Sequence, residues 1–145
     1  MNQADGAAST VSGTHFAFSI LHAAKAIEDR IEGALDAVGL SMAKHSALSR
    51  LEEAGEPLTL SELAARLSCV RSNITQLIDR LEADGLVRRI ADPDDRRSVR
   101  AELTPLGREK QAAGAVELAK VQQEISDQVA SSDLAGLESA LQSLA

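Results

Sequence analysis

A chain of 145 residues, 44% hydrophobic and 26% charged, has the size of one domain: enough for a core, short for two. A single cysteine, Cys69, excludes an intrachain disulfide framework, and no run approaches the roughly 18 apolar residues of a membrane span, so a cytoplasmic protein without a membrane partner is expected. The net charge of −7 taken as a sum argues against a nucleic-acid partner, while abundant Ala and Leu and only three prolines predict a mostly α domain.

Residues 1–13 are small and polar, without a signal-peptide pattern, and read as a flexible tail before a single domain over 14–145. The first helix is predicted from about His15 to Val38. Phe16, Ile20, Ala23, Ala24, Ile27, Ile31, Leu35 and Val38 form its apolar stripe, and Gly39 stops it. A second helix over about Met42–Glu53 buries Ala47, Leu48 and Leu51 and ends at Gly55-Glu56-Pro57. Leu58-Thr59-Leu60 then leads into a short helix over Ser61–Leu67, a tight connection at Ser68-Cys69-Val70, and a helix over Arg71–Asp84 that Gly85 ends. Leu86–Ala91 and Ser98–Leu103 are β-prone runs about a polar turn, which predicts a hairpin. Thr104 as N-cap and Pro105 at the first helical position open a helix to about Val129, and a last helix covers Asp133–Leu144.

Two short helices joined by a three- or four-residue turn are a common device for setting a helix into the major groove of DNA. Ala64 is small where the first must approach the second, and Leu63, Leu67, Cys69, Ile74 and Leu77 supply the apolar positions between them. The outward face of the second helix then carries Arg71, Ser72, Asn73, Thr75, Gln76 and Arg80. Asn and Gln can pair bidentately with adenine, Arg with guanine, and Ser or Thr with either bases or phosphates. Taken alone, such a face also fits a solvated structural helix.

The hairpin changes that balance. Its tip holds Arg96 and Arg97, where a cation can enter a minor groove, beside Asp94 and Asp95, which repel DNA unless one of them holds an arginine. Residues 66–110 hold ten basic against eight acidic side chains, a balance of +2, and the remainder five against fourteen, a balance of −9. Positive charge is thus concentrated on the segment that would meet DNA. A helix-turn-helix followed by an arginine-tipped hairpin is a winged helix.

These residues resemble the multiple antibiotic resistance regulator (MarR) family. The resemblance is carried by Leu60-Ser-Glu-Leu-Ala-Ala-Arg-Leu67, by the run from Asn73 to Arg89, and by the run from Asp92 to Gly107. The family's Asp-x-Arg of the wing falls on Asp95 and Arg97, and its Leu-Thr-x-x-Gly on Leu103, Thr104 and Gly107. It implies a homodimeric regulator, commonly a repressor, reading a palindrome in double-stranded DNA and released by a small-molecule effector or by thiol oxidation. It further implies dimerisation through helices in 14–57 and 105–145, DNA reading by 58–104, and an effector pocket between the first, second and fifth helices. The apolar terminal helices (Val116, Leu118, Ala119, Val121, Ile125, Val129, Leu134, Leu137, Leu141 and Leu144) agree independently with dimerisation. Two positions depart from the family pattern: Ser68 stands where the turn usually has Gly, and Val70 where the recognition helix usually has a Ser or Thr cap.

Cys69 has two readings. As a redox switch it would have its pKa lowered by Arg71 and the helix start; as a core residue it is a small apolar filler. The family's peroxide sensors carry their cysteine in the first helix near tyrosines, and this chain has neither feature. No metal or cofactor is expected. His15 and His22 are seven apart on one helix face, His45 stands apart from them, and neither His-x-x-x-His nor Cys-x-x-Cys spacing occurs. Nor is an enzyme, since the sequence has no phosphate-cradling loop, nucleophile elbow or paired carboxylates. The competing reading is a winged helix used only for protein contacts.

Overall fold

The computed structural model describes residues 13–68 and 71–145. In chain order these form α1 (Gly13–Asp36), α2 (Met42–Ala54), β1 (Leu58–Thr59), α3 (Leu60–Arg66), α4 (Arg71–Ala83), β2 (Val87–Ala91), β3 (Val99–Leu103), α5 (Pro105–Gln128) and α6 (Leu134–Gln142). The class is the expected one, mostly α with a small β wing. Each expected helix and strand is present with ends within two residues of expectation. No helix among the described residues is long and apolar enough to cross a membrane.

Several elements owe their limits to local capping. Ser41, Thr59 and Thr104 each accept a backbone N–H three residues ahead, at the starts of α2, α3 and α5. At α3 the exchange is reciprocal, because the Thr59 amide also donates to Glu62 Oε2 at 2.8 Å. Gly39 and Gly85, at φ of 78° and 74°, turn the chain out of α1 and α4 in the left-handed region that glycine enters freely. Ser68 is also left-handed, at φ 52°, in the turn where a glycine would be unstrained.

One element was not expected. Leu58 and Thr59, read as a lead into the helix, form β1 and pair with Ala101 and Arg100, giving a three-stranded antiparallel sheet in the order β1-β3-β2. Two residues are too few to display a period of two, so only the partner strand reveals this one.

The core joins α2, α3 and α4 to the sheet through Leu48, Leu51, Leu58, Leu63, Ile74, Ile78, Leu81, Val87 and Ala101. Leu35 and Leu40 bring the end of α1 into it, while α1 and α5 pack along each other farther out. Arg30 links those two helices, donating to Glu124 at 2.8 Å and Gln128 at 3.0 Å.

His45 of α2 is buried against α5, so tightly that a Cβ on Gly114 would lie 2.5 Å from its Nδ1. Its Nε2 lies 3.3 Å from Ser49 Oγ, and Nδ1 has no hydrogen-bond partner. Burial holds this imidazole below its ordinary pKa. The unfolded chain therefore takes up the proton first as pH falls. Stability from the neutral ring is complete above the ordinary value of about 6.5 and is lost as pH drops from there through the folded value. Between about pH 7.5 and 5.5, the melting temperature of the wild type is expected to fall further than that of His45→Gln. Parallel falls in the two proteins would remove His45 from the account.

Candidate nucleic-acid interface

The α4 helix divides cleanly by face. Ile74, Ile78 and Leu81 are fully buried and hold it against the core, and Leu77 is half-buried. Asn73, Thr75, Gln76 and Arg80 are exposed on its other side. The side chains of Arg71 and Ser72 and the whole of Cys69 and Val70 lie outside the described residues. Leu63 and Ala64 of α3 are buried as expected of residues between the paired helices, and Leu67 is half-buried.

The wing is a regular hairpin from Val87↔Leu103 to Ala91↔Val99. Its base is tied to the recognition helix by Arg89, whose amide donates to Glu82 Oε2 at 2.9 Å and whose Nη1 donates to Glu82 Oε1 at 3.0 Å. Arg96 and Arg97 are exposed at the tip. Among the described residues neither they nor Arg80 make an ion pair, so no described carboxylate neutralises their charges. Asp95 does not hold an arginine side chain. Its Oδ1 accepts the Arg97 amide at 2.9 Å, which shapes the turn and leaves the guanidinium free.

The fold adds two residues to this surface that sequence reasoning missed. An open cleft of about 750 Å³ runs between the α1–α2 pair and the helix-turn-helix, and Asn73, Gln76 and Arg80 line it together with Arg50 and Arg66. Among the described residues Glu32 is the only carboxylate in that lining against three arginines, of which Arg50 is paired with Glu53, so the lining carries excess positive charge. Arg50 is on α2, far from the motif in sequence, and no local pattern marks it. This cleft lies on the α4 side rather than between the first, second and fifth helices, where an effector pocket was expected. Between α1 and α5 there is a smaller hollow of about 320 Å³, lined by Ile31, Leu118, Val121 and Ile125. The three histidines do not converge: His15 and His22 are exposed on α1 and His45 is buried in α2.

The family model for MarR matches residues 40–99, from just before α2 to the first residue of β3. Over that segment, about two fifths of its length, the chain is similar to the MarR family. An HTH-type transcriptional regulator of Bacillus subtilis, YsmB, is 35% identical over 89 residues, which is 61% of this chain and 60% of that protein. The chain spans 60% or less of the length of the curated relatives it matches. Among solved structures, AbsC of Streptomyces coelicolor, a MarR family transcriptional regulator, superposes with a TM-score of 0.80 at 29% identity, covering 93% of each chain. A MarR variant of Escherichia coli complexed with operator DNA shares the fold at a TM-score of 0.76 and 22% identity, covering 88% of this chain and 91% of that one. The curated relatives it matches are all HTH-type transcriptional regulators.

Proposed function

We propose that this chain is a MarR-family protein and a sequence-specific reader of double-stranded DNA, acting as a homodimeric transcriptional repressor on a palindromic operator. The division of α4 carries the reading: Asn73, Gln76 and Arg80 face outward while Ile74, Ile78 and Leu81 anchor the opposite face at full burial. Arg71, Ser72, Asn73, Thr75, Gln76 and Arg80 are assigned to the major groove, and Arg96 and Arg97, shaped by Asp95, to the flanking minor groove. A protein of the same fold has been solved in complex with operator DNA, which supports the choice of DNA as the partner.

Dimerisation through the terminal helices, within 14–57 and 105–145, is supported by their exposed apolar side chains. Every residue of α6 is exposed, including Leu134, Leu137 and Leu141, and so are Phe16, Phe18 and Leu21 of α1. Leu137→Glu/Leu141→Glu is expected to sediment as a monomer and to lose most operator affinity. A double variant that stays dimeric would overturn this interface.

Release by a small-molecule effector draws support from the cationic cleft beside α4, which favours an anionic compound. Oxidation of Cys69 is the second route. Titration of the purified protein onto the DNA upstream of its own gene, at about 50 to 200 mM salt, tests the whole reading. Specific binding that weakens steeply with salt is expected, and peroxide-sensitive binding lost in Cys69→Ser would assign the thiol. No preference over unrelated DNA would overturn the DNA reading in favour of a module for protein contacts.

A further inference from the structure

The hairpin ladder fixes the base of the wing, but its distal half depends on a residue outside the recognition surface. Arg100 is on β3, the central strand, opposite Ile90 of β2 on one side and Thr59 of β1 on the other. Its Nη1 donates to the Pro57 carbonyl at 3.1 Å, just before β1, and its Nε lies 3.2 Å from Asp92 Oδ1. Asp92 is only 7% exposed. The same carboxylate oxygen accepts the Asp94 amide at 3.1 Å, and the Asp92 amide donates to the Ser98 carbonyl at 3.2 Å. One guanidinium thus joins the chain entering α3 to the loop that carries Arg96 and Arg97. The loop leans toward α3 as well, where Ser61 shares a polar hollow with Asp95 and Arg97.

We propose that Arg100 is a positioning residue that holds the wing at a set offset from the recognition helix, so that Arg96 and Arg97 meet the minor groove in register with α4. The inference rests on the DNA-reading function proposed above. Its physical basis is the buried Asp92 carboxylate. With Arg100 present the carboxylate is paired; without it a buried charge is left uncompensated, and the loop must open to bring water to it. The path from Pro57 continues to α4, because α3 packs on α4 through Leu63, Ala64 and Ile74. The planar fork of Arg suits two acceptors in different directions, which a lysine ammonium cannot reproduce.

The test is a double-mutant cycle on operator affinity. Arg100→Met, which keeps most of the stem and removes the charge, is expected to weaken binding about tenfold in the native wing. In an Arg96→Ala/Arg97→Ala background the same change is expected to cost less than about twofold, because no tip cation remains to be misplaced. Arg100→Lys should fall between, and Asp92→Asn should repeat the Arg100→Met result if that variant folds poorly. An equal loss in both backgrounds would mean that Arg100 touches DNA or serves only the fold, and either overturns the proposal. A second readout needs no DNA: spin labels at Ala65→Cys and Asp94→Cys in a Cys69→Ser protein. A narrow distance distribution that broadens in Arg100→Met is expected; an unchanged one overturns the positioning role, even if the wild type proves not to read DNA.

Discussion

Gln76→Ala and Arg80→Ala are each expected to weaken operator binding by about 5- to 150-fold, the range of one bidentate base contact, while leaving the melting temperature within about 1–2 °C of the wild type. Both side chains are exposed, and neither has a partner in the core whose loss would be felt on folding. Asn73→Ala is expected to behave alike. The loss should be confined to particular base pairs: an operator changed at the contacted position should bind wild type and variant equally. Arg96→Ala and Arg97→Ala should differ in kind, weakening binding to all sequences more uniformly and lowering the salt slope by about one each. Ile78→Ala serves as the converse control. It removes a fully buried side chain and should cost about 2–4 kcal/mol of stability, with affinity following only through the fraction folded. Undiminished affinity and specificity in Gln76→Ala/Arg80→Ala, titrated by fluorescence anisotropy, would remove α4 as the reading element.

Gly107→Ala is expected to be among the most damaging single methyl additions to the fold. A Cβ there would lie 2.0 Å from the Leu86 carbonyl oxygen, 3.0 Å from its carbonyl carbon and 3.2 Å from Leu103 Cδ2. The obstacle is backbone, and that backbone is held on several sides. The Leu86 amide donates to the Leu81 carbonyl at 2.9 Å, and the Leu86 carbonyl accepts the Thr104 amide at 3.1 Å. Thr104 Oγ1 donates to the Gly85 carbonyl at 2.6 Å while accepting the Gly107 amide at 3.0 Å. The start of α5 therefore cannot retreat without breaking the junction of recognition helix, wing and α5. A loss of about 3 kcal/mol is expected, lowering the melting temperature by roughly 10 °C. Helix propensity predicts the opposite sign, because Ala is favoured over Gly by about 1 kcal/mol in a helix interior. Gly33→Ala isolates that term: nothing lies within 4 Å of the added methyl in α1, and a gain of about 0.5–1 kcal/mol is expected. Gly114→Ala should be milder than Gly107→Ala, since the nearest atoms belong to the side chains of His45 and Leu40. A Gly107→Ala protein as stable as wild type in thermal unfolding would refute the close approach.

Much of this protein was legible in the sequence because it is written locally. Helix limits follow from Gly39, Gly85 and Thr104 acting on their immediate neighbours. The two faces of α4 follow from a period of 3.6, which sets Ile74, Ile78 and Leu81 together and leaves Asn73, Gln76 and Arg80 apart from them. The wing follows from two β-prone runs about a turn. Each is a relation within a few residues, so composition and spacing suffice to read it.

Tertiary structure alone decided the rest. The sheet gained β1 because Leu58 and Thr59 meet a strand more than forty residues later. Arg50 and Arg66 joined Asn73, Gln76 and Arg80 on the candidate face because α2 and α3 border the same cleft. Of the aspartates at the wing loop, the one that pairs with an arginine side chain is Asp92, through Arg100, and not Asp94 or Asp95. Gly107 is committed to glycine by a carbonyl twenty-one residues away, and His45 is buried by a helix from the far end of the chain. A contact between distant residues imposes no period and no neighbouring cap, so nothing in the linear order records it. The local code determined what the elements are and which face of α4 is polar; packing determined which charges share a surface and which atoms leave no room.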